Sequence, residues 1–214
     1  GTNNLFMLQG KRDLHRRWWL AKRFFIYDAK YVSGTYKSEA VEIKCLNGTS
    51  AGQQFSIVSG YPFDYGYGIN NLPREKNVYL EEGASHTFTT EEIVNVGDPI
   101  RIYGAPNIAE LDLSLMMERL AVLNVTKASS ETLGAQMRKL VIGKNGGSNV
   151  ELAEISGLRG LVMLEHLDIQ GLKNVTSVDL SNQSQMKVLK AFGSGISSAI
   201  FTDGAPLERL ELPT

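Results

Sequence analysis

From Ile108 onward the chain repeats short segments in which two apolar residues flank one variable residue. The clearest copies are Leu111-Asp-Leu113, Leu140-Val-Ile142, Leu167-Asp-Ile169, Leu189-Lys-Ala191 and Leu210-Glu-Leu212, with first positions 29, 27, 22 and 21 residues apart. Weaker copies lie midway, at Leu123, Ile155, Val178 and Ile200. One short strand in each unit of this length predicts a leucine-rich-repeat-like solenoid over residues 105–214. We expect it to be truncated, because the last repeat stops without an atypical capping unit.

Alternation along these strands predicts which side chains face outward, because neighbouring residues of a strand point to opposite faces. The outward set forms a candidate interaction surface of mixed charge, which favours a protein partner over a polyanion. Its members are Glu110, Asp112, Lys139, Val141, His166, Asp168, Lys190, Phe192, Arg209 and Glu211.

The first 35 residues predict a basic amphipathic helix, centred on residues 11–31. Leu14, Trp18, Ala21, Phe25 and Ala29 recur at helical spacing and give one apolar stripe. Seven basic and two acidic residues give this segment a charge of +5, which leaves −6 for the rest of the chain. Arginines beside tryptophans can bind nucleic acid, but the aromatic residues follow the core periodicity. The favoured interpretation is that the aromatic residues pack inward while the charges form a solvated face. A basic face that meets an acidic neighbour, in this chain or another, would explain the charge without nucleic acid.

Residues 36–104 predict a small β-rich module. Its candidate strands are Ala40–Leu46, Gln54–Ser59, Asn77–Leu80, Thr87–Thr90 and Ile100–Tyr103, separated by Gly, Asn and Pro turns. Alternation places Val41, Ile43 and Cys45 on one buried face of the first strand. With the helix and the solenoid, this module makes the predicted fold class α+β.

Between these strands lies a segment rich in aromatic residues and glycine. Tyr61, Phe63, Tyr65 and Tyr67 form a candidate aromatic patch that could stack on sugar rings. The same residues could form a twisted strand whose rings pack on a neighbour, and this structural alternative is favoured.

Catalytic and cofactor chemistry finds little support in the chain. The three histidines, His15, His86 and His166, lie in separate segments, and the single cysteine excludes both an internal disulfide and a multi-cysteine zinc site. The net charge of −1 disfavours a whole-chain role on nucleic acid or membranes. No apolar run is long enough to span a bilayer, and the first residues do not resemble a secretory signal. We therefore expect a protein without enzymatic activity or a cofactor.

Three elements occur in an order that resembles the large tail-associated, "muzzle"-type proteins of crAss-like and related gut bacteriophages. They are the helix block Phe6–Tyr31, which includes Gln9-Gly-Lys-Arg12 and His15-Arg-Arg-Trp-Trp-Leu20, then Tyr67-Gly-Ile-Asn-Asn71, then Ile102-Tyr-Gly-Ala105. The spacing around the second element is looser than in that family. The helix block is fairly specific, whereas short repeats occur in many unrelated proteins.

The resemblance implies a structural role in the phage tail, with protein contacts to other copies or to other virion components and no enzymatic residues. The alternative is a bacterial surface adhesin that binds a host protein or a glycan through the outward residues. The expected locations are accordingly the virion or the bacterial surface, with no targeting signal within the segment. A membrane partner is not expected, and nucleic acid is disfavoured.

Overall fold

The computed structural model describes residues 39–59, 63–67, 75–78, 84–90, 99–103, 108–125 and 137–213. The predicted N-terminal helix lies outside these residues. The strands are β1 (Glu39–Cys45), β2 (Gln54–Ser59), β3 (Phe63–Tyr67), β4 (Glu75–Val78), β5 (Ser85–Thr89), β6 (Ile100–Tyr103), β7 (Ile108–Asp112), β8 (Leu120–Asn124), β9 (Lys139–Val141), β10 (Ile155–Ser156), β11 (His166–Asp168), β12 (Ser177–Leu180), β13 (Val188–Lys190), β14 (Ser198–Phe201) and β15 (Arg209–Glu211). Two short 3-10 helices cover Ser114–Arg119 and Leu158–Gly160.

These strands form three sheets. A six-stranded sheet has the order β10-β8-β1-β6-β3-β4, a seven-stranded sheet has the order β15-β13-β11-β9-β7-β2-β5, and β12 pairs with β14. In the seven-stranded sheet the strands β7, β9, β11, β13 and β15 are parallel to one another. Strand β2 is antiparallel to both β5 and β7. The six-stranded sheet also mixes directions, since β8 is antiparallel to β1 and parallel to β10.

The predicted α+β class with a leucine-rich-repeat-like solenoid is wrong. The structure is 45% strand and 7% helix, and its described residues form mixed sheets rather than a solenoid. The periodicity indicates only local secondary structure, namely a short strand followed by a turn. It contains no information about the antiparallel strands of residues 39–103, which join the same sheets and make them mixed.

Each of the five clearest repeat copies overlaps an observed strand that ends one residue earlier, and the register of these strands follows the leucines. Leu111, Leu140 and Leu167 are directly opposite one another on β7, β9 and β11, and Leu189 and Leu210 continue the line on β13 and β15. The first four are fully buried, whereas Leu210 on the edge strand is 47% exposed. Burial of one face fixes the register, because a slip of one residue would expose every leucine in the line.

The predicted β-rich region contributes strands to both larger sheets. Val41, Ile43 and Cys45 of β1 are buried, as the alternation predicted. Burial raises the pKa of the Cys45 thiol to about 11, so this cysteine is an unreactive core residue. Four of the five predicted strands overlap or match observed ones within about two residues, and the fifth, Asn77–Leu80, shares two residues with β4.

One continuous hydrophobic cluster contains buried side chains from both of the larger sheets. Pairing of β1 with β8 and of β2 with β7 crosses the predicted boundary between residues 104 and 105. The strands before and after this boundary therefore share hydrogen-bonded sheets and one hydrophobic core.

Two close backbone approaches fix the turns that follow β9 and β13. A Cβ atom at Gly143 would lie 2.0 Å from the backbone oxygen of Gln170, and one at Gly195 would lie 2.0 Å from that of Lys173. Only glycine allows neighbouring chain segments to approach this closely. The turns therefore stack directly on one another beside the seven-stranded sheet.

Candidate interaction surface

The parallel strands of the seven-stranded sheet bring nine of the ten predicted outward residues together in two rows. The first row runs across the sheet as Glu110, Lys139, His166, Val188 and Arg209. The second row runs as Asp112, Val141, Asp168, Lys190 and Glu211. We call these two rows the outer face. On each strand these residues come directly before and after the leucine. Because successive side chains of a strand point to opposite faces, they lie on the face of the sheet opposite the buried leucines.

Unlike charges are neighbours within both rows. Lys139 Nζ lies 3.2 Å from Glu110 Oε2 in the first row, with both side chains almost half exposed. Lys190 Nζ lies 4.0 Å from Asp168 Oδ2 in the second. On β15, Arg209 Nε donates a hydrogen bond to Glu211 Oε1 over 2.6 Å. The exposed pairs, Lys139 with Glu110 and Arg209 with Glu211, add little stability. All three pairs set a charge pattern that a partner must match.

A third row of charged residues precedes the strands and was not predicted from the sequence. Glu165 accepts hydrogen bonds from Arg138 Nη1 at 3.3 Å and from Lys187 Nζ at 2.6 Å. The hydrogen bond from Lys187 is the main cause that lowers the pKa of the Glu165 carboxyl. Residues 138, 165, 187 and 208 alternate in charge along the sequence. That alternation at the residue before each strand is the signal that could have identified this row, which we call the flanking row.

Val188, in the first row, was not among the predicted outward residues. It lies directly opposite both His166 and Arg209. Val188 and Val141, which lies in the second row, are half-buried apolar side chains between polar neighbours. The outer face therefore combines ion pairs with two separate apolar side chains.

Asp168 has a second role at the end of β11. Its carboxylate accepts a hydrogen bond from the backbone N–H of Gln170 at 3.1 Å and from Gln170 Nε2 at 3.1 and 3.0 Å. Asp112 accepts the corresponding backbone N–H from Ser114 at 2.8 Å. Aspartate commonly closes turns in this way. Asp168 is only 6% exposed and is therefore a structural member of the face as well as a charged one.

His166 lies near the centre of the outer face and is half-buried. Burial is the largest cause that lowers the pKa of its imidazole, followed by the positive charge of Lys190, while Asp168 acts in the opposite direction. The imidazole is consequently neutral at neutral pH. It offers a partner one hydrogen-bond donor and one acceptor rather than a positive charge.

Phe192 is the one predicted member that lies outside the two rows. It follows β13, two residues beyond Lys190, and its side chain is 48% exposed. Its backbone oxygen accepts a hydrogen bond from the N–H of Gly171 at 3.1 Å. It lies on the turn next to the face rather than on a strand of the sheet.

The described part of the predicted aromatic patch belongs to the core. Phe63 on β3 is fully buried, and Tyr65 is half-buried with its ring 4.6 Å from that of Phe88 and 6.1 Å from that of Phe55. At these two positions the twisted-strand alternative is therefore correct. Tyr61 and the side chain of Tyr67 lie outside the described residues.

No family model, curated protein or solved structure matches this chain. Among the described residues, no helix combines the length and apolar character needed to cross a membrane. In the same part of the chain, His, Cys, Asp and Glu form no group of three or more that could hold a metal ion.

Proposed function

We propose that this chain is a non-enzymatic structural module that binds another protein through the outer face, as part of a phage tail. The observation that carries the proposal is the register of the parallel strands, which aligns unlike charges around two valines and a neutral histidine. A surface of this kind fits a folded partner with a complementary pattern, because charge complementarity selects partners more than it adds affinity.

The balance of charge supports a protein partner rather than a nucleic acid. The outer face and the flanking row together hold six acidic and five basic side chains, a net charge of −1. Nucleic acid binding draws on several basic residues that can neutralise phosphates together. Here Lys139 and Arg138 are already near carboxylates of the same sheet.

The assignment to a phage tail rests on the resemblance of the helix block and of the two shorter elements that follow it. Reading the gene and its neighbours in the source DNA tests that part of the proposal directly. Portal, capsid or tail genes alongside the gene would support a virion protein. A neighbourhood without virion genes would contradict it.

Contact through the outer face is tested with purified chain and the virion proteins encoded beside it, by biolayer interferometry. Lys190→Glu reverses a charge in the centre of the face, and we expect it to weaken binding at least about tenfold. Lys144→Glu is the matched control, since Lys144 pairs with Glu118 at 3.4 Å outside the three rows. Binding unchanged by Lys190→Glu, or weakened equally by both variants, would contradict a role for the outer face.

The alternative is a bacterial surface adhesin that binds a host protein or a glycan through the same face. The mixed charges of the outer face favour a protein over a sugar as its ligand, whereas the exposed aromatic ring of Phe192 would suit either. A signal peptide or wall anchor in the full gene, together with binding to host-cell proteins, would favour this alternative.

A further inference from the structure

The turn that follows β9 contains an asparagine directly before a glycine. Its four residues are Lys144, Asn145, Gly146 and Gly147, and a hydrogen bond of 3.0 Å from the N–H of Gly147 to the carbonyl oxygen of Lys144 closes it. Gly146 has a φ of +73°, which glycine adopts without steric cost. The turn lies in the interior of the described range 137–213, and both of the residues at its tip are exposed.

The side-chain amide of Asn145 and the backbone N–H of Gly146 are not engaged elsewhere. Among the described residues, no hydrogen bond involves either group. A Cβ atom at Gly146 would have no other atom within 4 Å. The nitrogen of Gly146 can therefore approach the side-chain carbonyl carbon of Asn145 without a side chain of its own in the way and without first breaking a hydrogen bond.

An asparagine in this position can modify itself by attack of the next backbone nitrogen. The nitrogen of Gly146 forms a bond to Cγ of Asn145, and the bond from Cγ to the side-chain amide nitrogen breaks. That nitrogen leaves as ammonia, carrying the proton of the Gly146 N–H. Water then opens the cyclic succinimide at either of its carbonyl carbons. One opening gives aspartate, and the other gives isoaspartate, whose backbone runs through the side chain and is one methylene longer.

We propose that Asn145 is a site of spontaneous covalent modification, which converts to isoaspartate and aspartate with water as the only co-reactant. Asn174 and Asn182 are also exposed, but the residues that follow them, Val175 and Gln183, carry side chains. A side chain on the attacking residue hinders its approach, and the branched valine is especially restricted. Conversion is therefore directed to Asn145 rather than to exposed asparagines in general.

The close packing of Gly147 decides what the modification does to the fold. A Cβ atom at Gly147 would lie 2.5 Å from Sδ of Met117, and one at Gly171 would lie 2.2 Å from the carbonyl oxygen of Gly147. These two neighbours leave no room for a displaced backbone. Isoaspartate at position 145 lengthens the chain two residues before this contact. The modified chain is therefore less stable than the unmodified one.

The chain contains one other Asn-Gly pair, Asn47-Gly48, so the test is made in the variant Asn47→Gln, which lacks it. The purified full chain is stored for several days in mildly alkaline buffer, well below its melting transition, and is then analysed by peptide mapping. Electron-transfer fragmentation assigns each modified position and separates isoaspartate from aspartate. Position 145 should accumulate both products, while Asn174 and Asn182 stay unmodified.

Thermal melting of the same samples measures the effect on the fold. The stored Asn47→Gln chain should melt at least about 3 °C below the fresh one. The double variant N47Q/N145Q should keep its melting temperature on storage, because glutamine would have to close a larger ring. Asn145→Asp in the same background, measured fresh, carries the new charge without the longer backbone. It should melt within about 2 °C of its parent.

Three results would count against the proposal. A position 145 that stays asparagine, or that converts no faster than Asn174 and Asn182, would overturn the assignment of the site. An equal loss of melting temperature on storage in the double variant would overturn the link between isoaspartate and stability. Full conversion with an unchanged melting temperature would overturn the predicted effect of the packing around Gly147.

Discussion

At the scale of single residues, the surroundings of His166 on the outer face favour the neutral form of its imidazole. Burial and the nearby Lys190 lower the pKa of His166, against the opposing effect of Asp168. In the unfolded chain the imidazole binds a proton below about pH 6.5, whereas the folded chain resists that protonation. Folding stability contributed by this residue is therefore complete at higher pH and is lost as the pH falls through the unfolded value.

This reasoning predicts that His166 titrates below its ordinary pKa in an NMR titration of the three histidines. The variant His166→Gln assigns the resonance, because one of the three signals disappears. Urea unfolding at about pH 7.5 and about pH 5.5 should show a smaller loss of stability in the variant than in the wild type. A His166 pKa at or above the ordinary value would contradict the predicted effect of burial.

Asn149 is a buried amide that holds one turn of the chain in place. Its Nδ2 donates to the backbone oxygens of Met117 at 2.6 Å and of Leu120 at 2.8 Å, and its Oδ1 accepts from the N–H groups of Glu151 and Leu152 at 3.0 and 2.8 Å. Removing the side chain takes one hydrogen bond from each of two backbone carbonyls and two backbone N–H groups, and such losses at buried groups are costly.

We therefore expect Asn149→Ala to lower the free energy of unfolding by about 2–4 kcal/mol. Asn182→Ala is the control, because its Nδ2 makes one exposed hydrogen bond, to the oxygen of Arg159 at 3.3 Å. That variant should lose less than about 0.5 kcal/mol in the same urea titration. Equal losses in the two variants would show that the backbone of this turn does not depend on Asn149.

At the scale of secondary structure, the line of leucines across the seven-stranded sheet allows the same Leu→Ala substitution to be compared at buried and exposed positions. Leu167 and Leu189 are fully buried on inner strands, and Leu210 has the same register on the edge strand with 47% exposure. Replacing either inner leucine with alanine removes buried methyl groups and opens a cavity, at a cost of about 2–5 kcal/mol. Leu210→Ala should cost less than about 1 kcal/mol in dilute solution. A cost at Leu210 equal to that at Leu167 would place the edge of the sheet elsewhere.

The strands themselves could be predicted from the sequence to a large extent. Leu140, Leu167 and Leu189 stand out because each has a polar residue next to it and recurs at a recognisable interval. β3 was only one of two interpretations of its segment, since Gly66 weakens a strand pattern and the tyrosines also suited an exposed patch. Burial of Phe63 against Phe88, with ring centroids 5.7 Å apart, depends on a contact between strands that are distant in sequence.

The outward positions on the strands were predicted better than the fold that presents them. Alternation around each leucine is a local property, so residues such as Lys139 and Asp168 were placed on the outer face without knowledge of the sheet order. The pairing of β2 with β7 was not predictable in this way, because their alternation is compatible with several neighbours. Mixed sheets arise from such long-range choices, and the class prediction failed for that reason.

At the scale of the whole molecule, the shared sheets predict how the chain behaves when it is cut. β1 pairs with β8 and β2 pairs with β7, and their buried residues belong to one hydrophobic cluster. We expect that a specific protease site inserted between residues 104 and 107 can be cleaved while the two fragments stay associated. Both should elute together in gel filtration and separate only in denaturant, because separation would expose the common core. An otherwise identical uncut sample is the control for elution volume. Fragments that elute apart and keep their circular dichroism would instead identify two independently stable domains that meet at the predicted boundary.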